Sequence, residues 1–300
     1  MRWPRLSPLL AVILLAGCGG AEAAQWERVA SMPQRRSYIA SAQIADAIYT
    51  IGGMVGETGR PLATFTRYDA AHDSWRVLPQ IPEPTRAAAA AAVARTIYLV
   101  GGTTPEGNTA ALWAYDVDGG EWRARAPLPA PRFNHSAVAI DGKVWVLGGF
   151  REGRELDDVR VYDPRRDAWS RGPSLPAPTH AFDVVAFGGE IWLLGGRRGE
   201  EVLRDVWILD PATRAWRRGP SMPKPMELLG ASVVGDEIHA VWESTYQIYD
   251  ASSGRWSEGP TPDLTRHALQ TFSVDGALYA VAGCTTALRD TPVVERIRVR

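Results

Sequence analysis

The chain has 300 residues with 33 basic and 34 acidic side chains, a formal net charge of −1. No basic cluster interleaved with aromatics stands out, which argues against nucleic acid as a partner. Removing a leader that contains Arg2 and Arg5 takes the charge from −1 to −3, and twelve tryptophans, most of them regularly placed, point to a core built on a repeated position.

The first segment, "MRWPRLSPLLAVILLAGC", places two arginines before an apolar stretch from Leu9 to Leu15 and ends in small residues. It is too short to span a membrane and reads as a secretory leader. Its end, "LAGC" (15–18), resembles the bacterial lipobox. That resemblance implies a signal peptide over 1–17 and a new N-terminus at Cys18, acylated on thiol and amine. Gly19 in place of Asp implies outer-membrane sorting. Several acyl chains anchor stably where one is marginal, and 18–24 then becomes a lipidated tether of small residues. The plainer alternative is a cleaved signal peptide with an incidental cysteine.

From residue 25 onward the chain repeats. Trp26, Trp75, Trp122, Trp169, Trp216 and Trp256 stand 49, 47, 47, 47 and 40 residues apart, and the last five follow an Asp by six positions: Asp69, Asp116, Asp163, Asp210, Asp250. Between tryptophans the order is constant: an alternating apolar run, a short turn such as "IDGK" or "VGDE", a strand ending in a glycine pair ("IYTIGG", "IYLVGG", "VWVLGG", "IWLLGG"), a variable polar loop, then a "YD"-type strand. Short Val/Ile/Tyr/Trp runs bounded by Gly, Pro and Asp predict strands, four to a unit and no helix. Four antiparallel strands every 40–50 residues predict a β-propeller. The glycine pairs are expected where innermost strands crowd toward the axis and only a residue without Cβ fits. The tryptophans are expected in the wedges between blades.

The stretch "IWLLGGRRGEEVLRDVWILDPATRAWRRGPSMP" (191–223), with its glycine pair, its D-x-x-x-x-x-W ending and its Met-Pro tail, resembles a kelch repeat. The resemblance runs from Trp26 to Arg300 and implies architecture more than chemistry. The last copy, "LYAVAG…VVERIRV", lacks its fourth strand, and "QWERVASMP" (25–33) is an orphan one. The expected fold is therefore all-β: a six-bladed propeller of four-stranded antiparallel blades in one domain, 25–300, with the N-terminal strand completing the last blade and leaving no open edge.

Function is expected on the face carrying the variable loops. Thirteen residues before the aromatic of each glycine strand stand Arg36, Thr85, Arg132, Thr179, Met226 and Arg266. Two later come Tyr38, Ala87, Asn134, Ala181, Leu228 and Ala268, and two later again Ala40, Ala89, Ser136, Asp183, Gly230 and Gln270. Because strand side chains alternate, this polar parity is expected to face the axial opening, and the arginines to form an anion-attracting mouth. Arg86, His180, Glu227 and His267 lie beside it. The candidate ligand-binding set is Arg36, Tyr38, Arg86, Arg132, Asn134, His180, Asp183, Glu227, Arg266, His267 and Gln270. Asp183, Glu227 and His180 are candidates for proton transfer. Blade five is seven residues shorter and must turn tightly at Glu243-Ser244, leaving a notch beside the charged segments 150–156 and 197–203.

The five histidines show no short ligand spacing, so no metal is expected, and no phosphate loop or G-x-S-x-G motif implies a cofactor or nucleophile. Cys284 reads as a small buried hydrophobe. Two functions follow. The first is a non-catalytic scaffold, anchored in the bacterial cell envelope, that holds a protein, peptide or glycan. The second rests on a resemblance to the periplasmic kelch-type sialic acid mutarotases and implies a carbohydrate-active enzyme in which Arg36, Arg132 and Arg266 steer a carboxylate while Asp183 or Glu227 handles protons. Those mutarotases carry long insertions that this chain lacks, which places the scaffold first.

Overall fold

A computed structural model describes residues 24–56, 58–285 and 289–299. The leader and Cys18 lie outside the described residues. Six four-stranded antiparallel sheets form the body. Blade one consists of Ala40–Ile44, Ala47–Ile51, Phe65–Asp69 and Ser74–Val77. Blades two, three, four and five follow in the same order, their innermost strands being Ala89–Val93, Ser136–Ile140, Asp183–Phe187 and Gly230–Val234. Blade six takes Gln270–Val274, Ala277–Val281 and Val294–Arg298 from the C-terminus and Glu27–Val29 from the N-terminus. Glu27 pairs with Arg296 and Val29 with Val294, closing the ring.

The Asp and Trp periodicities have separate causes. Each Asp ends a third strand and accepts backbone N–H bonds in the turn that follows, as Asp116 does from Asp118 (3.0 Å) and Asp210 from Ala212 (2.8 Å), the Asx-turn that makes Asp a turn former. Each Trp lies on an outermost strand or, in Trp26, directly before one, and its indole N–H donates to a carbonyl of the preceding blade: Trp75 to Ala30, Trp169 to Ala126, Trp256 to Pro220 and Trp26 to Pro260. The tryptophans thus join neighbouring blades at their outer rims. Between blades, apolar side chains from facing sheets form the core clusters, such as Trp192, Leu194, Val206, Met222, Met226 and Ile238 across blades four and five.

The glycine pairs sit elsewhere than expected. They cap the second strand, not the innermost one. A Cβ on Gly52 (φ +60°) would stand 2.3 Å from the Thr85 carbonyl oxygen of the next blade, and one on Gly53 (φ +96°) 2.7 Å from the Ser37 carbonyl of its own blade. The close approach serves a seam: Gly53 N–H donates to Thr85 O, Gly102 to Arg132, Gly149 to Thr179, Gly196 to Met226 and Gly283 to Arg36. Blade five has no pair, and there Glu243 (φ 52°) makes the sixth bond, to Arg266 O. Trp242 pairs with Thr245 across Glu243-Ser244, so the shortened blade does end in a two-residue turn. Blades one to four instead carry small outer hairpins, among them Phe150–Arg151 with Arg154–Glu155 and Arg197–Arg198 with Glu201–Val202.

Candidate functional site

Three consecutive residues ahead of each innermost strand define three layers. The first, Arg36, Thr85, Arg132, Thr179, Met226 and Arg266, is buried in all six blades. Arg36 donates to the carbonyls of Gly52 (2.8 Å) and Thr64 (3.0 Å) and to the hydroxyls of Thr50 (2.7 Å) and Thr66 (2.8 Å). Arg132 donates to Gly148 O (3.1 Å) and Asp158 O (3.0 Å) and pairs with the Asp158 carboxylate. Arg266 donates to Val293 O (2.6 Å) and Ala280 O (2.9 Å) and pairs with Glu295 at 2.9 Å, both side chains being inaccessible. Burial pulls all three guanidinium pKa values down and pushes Glu295 up, with Arg266 opposing that rise. The arginine mouth expected from the alternation of side chains does not form. These groups satisfy carbonyls inside their own blades and face no opening, because guanidinium is the side chain with enough donors to meet several buried acceptors at once.

The second layer, Ser37, Arg86, Phe133, His180, Glu227 and His267, belongs to the loop face. Its backbone bridges to the residue directly after the glycine pair, Ser37 to Met54, Arg86 to Thr103, Phe133 to Phe150, His180 to Arg197 and His267 to Cys284. Glu227 accepts from Arg197 (Nη1 to Oε1, 2.9 Å), and His180 Nδ1 lies 3.4 Å from Glu155. Glu155 also accepts the Gly199 N–H at 2.6 Å. Phe133, Phe150 and His180 form a run of rings with centroids 5.6 and 5.2 Å apart. Desolvation lowers the His180 pKa more than Glu155 raises it, so its ring is neutral at pH 7. Asp290 accepts from the Ser37 hydroxyl at 2.6 Å and from Gly56 N–H at 2.5 Å.

The third layer, Tyr38, Ala87, Asn134, Ala181, Leu228 and Ala268, is left-handed in every blade, with φ between 47° and 56°. Its backbones hydrogen-bond from blade to blade: Ala87 N–H to Tyr38 O, Asn134 to Ala87, Ala181 to Asn134, Leu228 to Ala181 and Ala268 to Leu228, at 2.7–3.0 Å. This belt narrows the axis to a cavity of about 60 Å³. Tyr38 is half-buried, and burial raises its phenol pKa, with Cys284, Glu227 and Asp290 adding to the rise and Arg86 opposing it. Those four groups come from blades two, five and six.

Asp183 and Gln270 lie below the belt, in the axial channel. Asp183 accepts from Ser136 Oγ (3.1 Å), Val184 N–H (2.8 Å) and Ala231 N–H (2.8 Å), and desolvation raises its pKa to about 6. Gln270 accepts from Ser41 Oγ at 2.8 Å. Asp183 and Glu227 thus have separate partners on either side of the belt, and the sequence-derived set divides three ways. Arg86, His180, Glu227 and His267 belong to the loop-face layer; Tyr38 and Asn134 in the belt line the axial cavity together with Asp183 and Gln270; Arg36, Arg132 and Arg266 are interior. Phe133 and Asp290 stand outside that set, and Arg197, Phe150 and Glu155, legible in the sequence only as parts of the charged segments 150–156 and 197–203, join it here. The residue after each glycine pair is the signal that would have found Arg197 and Phe150. Cys284 is free and buried, and His135 and His239, with pKa values lowered by burial to about 3 and about 4, are neutral interior groups. Among the described residues no group of three or more His, Cys, Asp or Glu side chains converges.

The family described as the KLHDC2/KLHL20/DRC7 Kelch-repeats domain matches residues 38–242. The chain belongs to this kelch-repeat family. Beta-scruin of Limulus polyphemus is 32% identical over 80 residues, 27% of this kelch chain and 9% of that protein, and alpha-scruin of the same organism is 31% identical over 90 residues, 28% and 10% respectively. The chain spans about a tenth of the length of these curated relatives. A solved structure, that of YjhT, superposes with a TM-score of 0.80 at 16% identity over 91% of this chain and 97% of that one, a likeness of fold.

Proposed function

We propose that this kelch propeller is a binding module of the cell envelope, held to the membrane by lipid at Cys18, that takes a peptide or glycan at the loop face around Tyr38. The observation that carries the reading is the chemistry of the second layer. The layers on either side hold blades together, whereas Arg86, His180, Glu227 and Phe133 bring a cation, a neutral imidazole, an anion and a ring to one face. Arg197, Glu155 and Phe150 extend that surface onto the outer hairpins. Rigid blades presenting varied loop side chains suit recognition, and aromatic and arginine groups dominate such contacts energetically. The test is a glycan and peptide array with the purified protein, repeated with Arg86→Ala and Arg197→Ala. Hits that vanish in both variants support the reading, and hits indifferent to both move the ligand off this face. The anchor is tested by labelling cells with radioactive palmitate, where Cys18→Ala must lose the label.

A second reading, an enzyme acting on an anionic sugar, keeps support from Arg86, His180 and Glu227 in one loop-face layer next to the belt residue Tyr38. It no longer has the three arginines or Asp183. Anomer interconversion of an acidic sugar followed by NMR, accelerated by the wild-type protein and not by Glu227→Gln, would establish it over simple binding.

A further inference from the structure

Below the belt, the axis widens to a channel of about 470 Å³, within the range of small-molecule sites. Its walls differ by blade. Blades two and three contribute Ala90, Ala92, Ala137 and Ala139, whereas blades one and six contribute Ser41, Gln43, Gln270 and Ser273. Asp183 stands at the narrow end and is the one ionisable side chain among the described residues lining this space. Its neighbours there are neutral donors, a hydroxyl and two backbone N–H groups, and no arginine, lysine or histidine lines the widened channel. Two other carboxylates of the blades have charged partners, Asp158 with Arg132 and Arg160 and Glu295 with Arg266, while Asp290 accepts from the neutral donors Ser37 and Gly56 and does not line this channel. A carboxylate taken from water without a counter-charge is costly, and this one faces a space large enough to admit its counter-charge from outside. At the other end Ala186 is exposed, so the channel opens toward the face of the short turns.

We propose that the axial channel is a second ligand site, for a slender organic cation whose ammonium group seats on Asp183 while its aliphatic stem lies along the alanine walls. The hydroxyl and amide groups of Ser41, Gln43 and Ser273 leave one wall able to take a second polar group farther along the stem. This site is separate from the loop face, because the belt lies between them and no residue of the second layer reaches the channel.

The test is calorimetric titration of the full-length protein with n-butylamine, with 1,4-diaminobutane, and with n-butanol as the uncharged match. Wild-type protein is expected to bind both amines and not the alcohol, Asp183→Asn to lose at least about tenfold in affinity, and Arg86→Ala to bind the amines unchanged. Ala186→Trp, which leaves Asp183 in place and narrows the open end, is expected to slow or abolish uptake. Absence of amine binding to folded wild type, equal binding of butanol, or undiminished binding by Asp183→Asn would overturn the proposal.

Discussion

Arg266 and His267 are adjacent in the chain and occupy different worlds, as do Arg132 and Phe133, or Thr85 and Arg86. The first of each pair is sealed inside a blade, bonded to carbonyls and carboxylates of its own sheet; the second belongs to the loop face. Arg86 and Arg132 are chemically identical side chains displaced by one register, and the displacement decides whether a guanidinium is sealed inside a blade or stands at the loop face. A residue type therefore carries no function in this ring until its register is known.

The sharpest way to break the comparison is to remove a first-layer arginine. Arg266→Ala leaves Glu295 buried and uncompensated, and the expected loss is about 3–5 kcal/mol, measured as a lower urea midpoint or as failure to fold. A change below about 1 kcal/mol would mean that the arginine is not structural. The seam between blades comes next. Gly52→Ala places a methyl into the Thr85 carbonyl at a left-handed φ, with an expected loss of about 2–3 kcal/mol and no change in the loop-face surface.

Asp183 provides a test with the opposite sign. Its pKa in the fold, about 6, lies above the ordinary 3.8, so folding favours the neutral acid. The stability this group allows is complete below about pH 4 and is lost as pH rises through about 6. Asp183→Asn, which cannot ionise, should therefore be more stable than wild type above pH 6, by about 1–3 kcal/mol at pH 7.5, with the advantage shrinking to nothing near pH 4; thermal melts across that range read it directly. The smallest effect on stability is expected at Arg86→Ala, within about 0.5 kcal/mol of wild type, combined with loss of loop-face binding. That contrast with Arg266→Ala, stable but inactive against unfolded, is the comparison in its purest form.

The ring was legible in the sequence because its signals are local. Asp116 builds a turn with residues two and three further on, the outer-strand Trp recurs at fixed spacing, and the orphan Trp26 strand and the missing last strand announce each other. The site was legible only in outline. Strict alternation along one extended strand over residues 36 to 40 would put Arg36, Tyr38 and Ala40 on one side. Tyr38 and its five counterparts are left-handed instead, and the strands begin only at Ala40 and its equivalents. One backbone reversal of this kind exchanges the sides of everything before it. None of the six, Tyr, Ala, Asn, Ala, Leu and Ala, is glycine, so no residue type flagged the reversal. It is imposed by the belt that these residues form together.

The closing strand is short. Only Glu27, Arg28 and Val29 pair with Val294–Arg298, helped by the Glu27–Arg296 contact and the indole of Trp26 on Pro260. A pull applied at Ala24 would load this strip first, and because it lies at the outer rim of its sheet it can peel away pair by pair while the other five blades keep all their own strands. The clasp that completes the circle is thus also its mechanical fuse: tension at the N-terminus would strip blade six of its outermost strand first, while the seam bonds from Gly283 to Arg36 and from Glu243 to Arg266 still hold that blade to its neighbours.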